Sequence, residues 1–172
     1  MSQLNPIFAD EDSISLFTSL LVRYPELGTI NYSSRGQILK LSFILKDKIP
    51  RQTIQEFSEE LNICIIAYTH FEGQHEPKLL KVTTNYGPGI TLMEISRDSN
   101  TLTQKEIGLI INYLRDKFAG HLVCENYTFP EEELLEHDDL IRSMLDSLRK
   151  KNPKKNLIAV REEGRVLVFN KR

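Results

Sequence analysis

At 172 residues, 40% apolar and 27% charged, the chain has the size and composition of one globular domain, and it is too apolar for a disordered one. A formal net charge of −2, two cysteines outside any zinc or CxxC spacing, and no apolar run near the ~18 residues of a membrane span exclude three classes. These are the cysteine-held zinc domain, the CxxC redox domain and the membrane-spanning helix.

The opening "MSQLNPIFADEDS" is acidic and has no basic region followed by a long apolar run, so it is not read as a secretory signal and the expected location is the cytoplasm. Ile14, Phe17, Leu20, Leu21 and Tyr24 recur at helical spacing. They predict a helix over about Asp12 to Tyr24, capped by Asp12 or Ser13 and stopped by Pro25. "TINYSSRGQILKLSFIL" follows as a hairpin turning at Ser-Ser-Arg-Gly, with Gly36 free to take positive φ. Leu39, Leu41, Phe43 and Leu45 share its apolar face.

Pro50 opens a second helix with Ile54, Phe57 and Leu61 on one stripe. The nearly unbroken apolar run "ICIIAYTHF" then reads as a central strand covered on both faces. "KLLKVTTNY" and "ITLMEIS", joined by Gly87-Pro88-Gly89, make a further hairpin. Thr103 and Glu106 form a capping box for a helix burying Ile107, Ile110, Ile111, Leu114 and Phe118. Gly120 is its expected C-terminal cap, and "HLVCENYTF" resumes as strand. Thr128 and Glu131 box the start of a last helix, carrying Leu134, Ile141, Leu145 and Leu148, which ends at Asn152-Pro153 before a final hairpin.

Two arrangements fit this order. Hairpin, helix and strand occur twice, over 29–71 and 79–129, with Ile38, Ile54 and Leu61 answering Ile90, Ile107 and Leu114. Alternatively, helix, hairpin, helix, three-strand meander and helix share one antiparallel sheet. The second order is similar to profilin-like and roadblock-like platforms, with a ferredoxin-like sheet the nearest relative if one strand is edge or loop. Both give an α+β fold with an antiparallel or mixed sheet flanked by helices. Residues 1–129 form the main domain, and 130–172 a helix-plus-hairpin appendage packed on it or on a second subunit.

Chemistry-bearing patterns are sparse. His70 and His75, with Glu72 and Glu76, could supply metal ligands, but their spacing across an exposed turn matches no motif. "NYGPGI" joins strands, whereas a phosphate cradle needs a helix behind it. Glu133 and His137 share a helix face within an acidic first turn that complements the helix dipole. Cys64 and Cys124 lie in apolar strand patterns, a setting that disfavours an ionised nucleophile. No catalytic residue, cofactor site or metal site is assigned.

The end of the chain is distinctive. Residues 142–172 hold ten Lys or Arg against three acids, a net +7, while the remainder carries −9. Arg149, Lys150, Lys151, Lys154 and Lys155 are therefore candidate contacts for an anion or nucleic acid. With a loop at Glu162–Gly164, Val160 faces Val166 and Ile158 faces Val168, and Leu157, Ala159, Leu167 and Phe169 occupy the opposite face as a candidate interface. Both faces of this hairpin are apolar, so it needs cover on two sides. The expected function is a non-enzymatic protein-interaction or regulatory module that self-associates. A nucleic-acid-binding protein is the alternative, and an unrecognised enzyme or small-ligand binder the third.

Overall fold

The computed structural model describes residues 4–171, and side chains from 11 to 170. Ten elements follow in order: α1 (Leu4–Arg23), β1 (Thr29–Ser33), β2 (Ile38–Lys46), α2 (Arg51–Phe71), β3 (Leu80–Gly87), β4 (Ile90–Asp98), α3 (Gln104–Lys117), α4 (Glu131–Lys151), β5 (Asn156–Glu162) and β6 (Arg165–Lys171). The fold is α+β. All six strands join one antiparallel sheet in the order β3-β4-β2-β1-β5-β6.

The buried apolar strand residues share one parity, which places the core on one face. Ile30 opposes Leu41 and Ala159, and Tyr32 opposes Leu39 and Leu157; Leu41 in turn opposes Ile95, and Phe43 opposes Met93. All of these are buried with the apolar stripes of the helices, among them Phe17 and Leu20 of α1, Phe57 and Leu61 of α2, Ile107 and Ile111 of α3, and Ile141 and Leu145 of α4. The helices therefore cover the inner face and leave the outer face without a helix, an arrangement antiparallel sheets tolerate.

Two apolar runs read as strands are not strands. "ICIIAYTHF" continues α2, because no helix breaker falls between Arg51 and Phe71 and the stripe Ile54, Phe57, Leu61 runs on through Ile65 and Thr69. Its remaining apolar residues then point outward, Ile63 being 70% exposed and Phe71 88%. "HLVCENYTF" is irregular. β2 is longer than β1, and its spare edge takes only a short bridge, with Lys46 N–H donating to His121 O at 2.7 Å and Val123 N–H to Ile44 O at 2.9 Å. The repeat and the meander both relied on these runs. The sheet is completed instead by β5 and β6, drawn from the 130–172 segment.

Helix ends also differ from expectation. α1 begins before Asp12, whose carboxylate accepts from Ser147 Oγ at 2.8 Å and pairs with Lys151. Thr103 caps α3 by accepting from Glu106 N–H at 3.2 Å, but Glu106 does not return the bond because its carboxylate is committed to Arg97. Phe118, not Gly120, ends α3. Pro130 precedes α4 without a side-chain cap, so the Thr128–Glu131 box does not form; Asn152 closes α4 in the left-handed region at φ 48°.

Candidate interaction surface

The final hairpin docks within its own chain. Thr29, Ile30, Asn31 and Tyr32 of β1 pair with Val160, Ala159, Ile158 and Leu157 of β5, so two segments about 130 residues apart complete one sheet. Its loop is shorter than expected by one residue. Glu162 pairs with Arg165, leaving Glu163 and Gly164 as a two-residue turn with φ of 49° and 77°. Such turns require positive φ at both positions and twist with the strands.

This change of register reassigns the faces. Leu157 and Ala159 are buried in the inner core, with Val166 and Val168 packed beside them. Leu167 pairs with Val160 and Phe169 with Ile158, so these four side chains lie together on the outer face. Phe169 is 48% exposed, and the other three are half-buried. Of the four residues assigned to an interface, two are therefore spent inside the chain and two stand on the uncovered face, joined by Ile158 and Val160. Among the described residues no strand lies beyond β6, so the quartet also borders the sheet edge.

The tail cations separate. Arg149 Nη1 donates to Leu102 O at 2.7 Å and its other terminal nitrogen pairs with Asp146; Lys151 pairs with Asp12. These contacts lie on different flanks of α4, one toward α3 and one toward α1. Lys150 is exposed in the last turn of α4, and Lys154 and Lys155 stand at the exposed turn between α4 and β5. Asp12 is held below the usual carboxylate range by its hydrogen bonds from Lys151 and Ser147.

Arg161 of β5 holds the hairpin to the end of α1 and the segment after it. Its Nη1 donates to Leu27 O at 2.8 Å and Nη2 to Leu21 O, and the guanidinium lies 6.0 Å from the Tyr127 ring. Tyr127 itself donates to Leu21 O at 2.9 Å. A cation and a hydroxyl thus satisfy carbonyls at a helix C-terminus that would otherwise lack partners.

The remaining sequence candidates are dispersed. His70 ends α2 and its Nε2 lies 2.7 Å from Glu76 at the surface. Cys64 sits on α2 and Cys124 in the exposed linker, not in strands; burial, then Glu26, push the Cys124 thiol up, away from thiolate character. Among the described residues no cluster of His, Cys, Asp or Glu could hold a metal, and no helix is long and apolar enough to cross a membrane.

Sequence reasoning missed the most deeply buried charge. Arg97 of β4 is fully buried; it bonds Glu106 through two nitrogens and donates to Asp98 Oδ1 and to Thr101 Oγ1 at 2.9 Å. Asp98 Oδ1 also accepts the Lys78 and Leu79 N–H groups at 3.0 and 3.1 Å. All three guanidinium nitrogens are engaged within the chain, so this cluster ties the start of β3 to α3. The signal was an arginine standing where β4 alternation places an apolar residue.

No known protein family, curated protein or solved structure matches the chain.

Proposed function

We propose that the protein is a non-enzymatic, cytoplasmic interaction module that pairs with a second copy of itself through the outer face of β5 and β6. One observation carries this reading: Ile158, Val160, Leu167 and Phe169 form a contiguous apolar cluster on a sheet face that no helix covers. Phe169, half-exposed on the edge strand, is of a residue type enriched at protein interfaces.

Charge complementarity selects a second copy as the occupant. Glu162 and Arg165 are exposed cross-strand neighbours at the hairpin tip, and among the described residues no ion pair joins them. A two-fold axis running along the strands lays β5 of one copy over β6 of the other. Val160 then meets Leu167, Ile158 meets Phe169, and Glu162 of each copy faces Arg165 of the other, as an isologous interface demands.

Size-exclusion with light scattering tests the proposal. The expected result is a dimer at high micromolar concentration that Phe169→Glu converts to a folded monomer; a strict monomer at that concentration sinks it. Titration of labelled RNA and DNA at low salt is the second arm. Salt-sensitive binding lost on replacing Lys150 and Lys154 would move the function to the α4–β5 turn instead.

A further inference from the structure

The uncovered face also carries a polar pocket, next to the apolar quartet and sharing only β5 with it. It has a volume of about 220 Å³ and is lined by Asn31, Ser33, Ile38, Lys40, Glu94 and Asn156, contributed by β1, β2, β4 and β5. Asn31 pairs directly with Lys40, and Glu94 lies diagonally from Lys40 across β2 and β4.

Three features make this more than a surface dent. First, Asn31 Oδ1 is buried without a hydrogen-bond partner. That acceptor is closed off from solvent, so a ligand N–H pairs with it as the Asn31 side chain turns toward the pocket. Second, Lys40 and Glu94 share the pocket, yet among the described residues no ion pair joins them. Diagonal strand neighbours stand about 7–8 Å apart, so a small molecule can lie between the two charges. Third, the Asn156 carboxamide is oriented: its Oδ1 accepts from Ser34 N–H at 2.9 Å and Ser34 Oγ at 3.1 Å, which leaves its NH₂ as the donor end.

The geometry points to a binding site for a small zwitterion, of the size of a free α-amino acid or a dipeptide. Asn31 Oδ1 and the Glu94 carboxylate receive its ammonium; Lys40 and the Asn156 NH₂ receive its carboxylate; Ile38 supplies an apolar wall. A ligand of single charge would meet its own sign at Glu94 or at Lys40. The volume lies below the ~300 Å³ at which pockets for larger cofactors and drug-sized ligands begin, which favours a ligand smaller than a nucleotide. The site is separable from self-association: a two-fold axis between β5 and β6 leaves β1, β2 and β4 open, and of the residues named for the ligand only Asn156, at the start of β5, lies on a strand that the pairing would cover.

Backbone amide shift titration of the full chain with glycine, L-alanine and glycylglycine tests the site, with N-acetylalanine and alaninamide as singly charged controls. The expected result is saturable shifts at Asn31, Lys40 and Asn156 with the zwitterions, and binding weaker by roughly ten-fold or more for each control. Lys40→Ala and Glu94→Gln each weaken L-alanine to a similar degree while light scattering gives an unchanged oligomeric state. The absence of a saturable shift with any of the three zwitterions at millimolar concentration overturns the proposal. Equal binding of either control overturns the zwitterion assignment, and with it the site as described.

Discussion

Arg97 and Glu106 meet side by side in the core, Nε to Oε2 at 2.5 Å and Nη2 to Oε1 at 2.6 Å, with both side chains almost completely removed from solvent. A buried pair of this kind adds little over an apolar pair of equal volume, but its half-removal strands a charge. Arg97→Met should therefore destabilise the fold by about 3–5 kcal/mol, whereas adding Glu106→Leu should recover much of that loss. Urea denaturation of the two variants measures the difference; additive losses would show that the two residues are not coupled.

The same cluster sets an acid limit. Burial pushes the Asp98 carboxyl up, but the bonds from Thr101 and the Leu79 N–H and the Arg97 charge outweigh it, so it stays below the usual carboxylate range. A depressed carboxyl contributes stability above its unfolded value near 3.8 and loses it as pH falls through the folded value. Asp98→Asn should flatten the loss of stability below about pH 4 relative to the parent chain. Thermal unfolding from pH 5 to pH 2.5 reads this directly.

Arg161 joins the hairpin to the end of α1 by bonds to one carbonyl in the last turn of the helix, Leu21 O, and one in the segment that follows it, Leu27 O. Charge-assisted bonds of this type contribute about 1.5–3 kcal/mol each before any compensation by water. Arg161→Met should cost about 2 kcal/mol, and Arg161→Lys should recover little, because a single ammonium lacks the fork that spans Leu21 O and Leu27 O. Hydrogen exchange should show the loss concentrated in β5, β6 and the last turn of α1.

At the hairpin tip the turn chemistry is imperfect. Glu163 holds φ 49° where asparagine is preferred, and Gly164 holds φ 77°. Glu163→Asn should raise stability by about 0.5 kcal/mol, while Gly164→Val should lower it by more than 1 kcal/mol. Opposite signs at adjacent positions, read by chemical denaturation, distinguish a two-residue turn from the three-residue loop.

If two copies pair about an axis along the strands, charge reversal must be reciprocal. Glu162→Arg alone should weaken self-association by roughly ten-fold, Arg165→Glu alone likewise, and the double exchange should restore it. Sedimentation equilibrium of the three variants checks this; a double variant no better than either single one would place the contact elsewhere.

Tyr113 gives a spectroscopic handle on the α2–α3 contact. Burial, then the hydrogen bond it donates to Glu60 and the charge of that carboxylate, push its hydroxyl up to about 12. Glu60→Gln should bring its ionisation part of the way back toward 10, with burial holding the rest. Ultraviolet titration of the tyrosines reads that shift.

Much of the local structure was legible. The Thr103 cap, the Asn152-Pro153 stop, the Gly36 turn and the Leu39, Leu41, Phe43, Leu45 face are written in residues a few positions apart, and each behaves as its chemistry requires. "ICIIAYTHF" shows where that logic fails. A short apolar run bounded by no Gly or Pro satisfies a buried strand and a helix equally by periodicity. Only its continuity with Ile54, Phe57 and Leu61, and the absence of a strand beside which it could pair, settled it as helix.

The sequence alone determined that the last hairpin has two apolar faces and needs cover on both. It could not determine which face looks inward, because a one-residue change in the turn exchanges every partner across the ladder. Nor could it show that β5 pairs with β1 at a separation of about 130 residues, or that a buried arginine would gather Glu106 and Asp98 around it. Those are choices made by long-range packing, where the burial of one face against the helices fixes the register and leaves Phe169 and the Lys40–Glu94 pocket on the other.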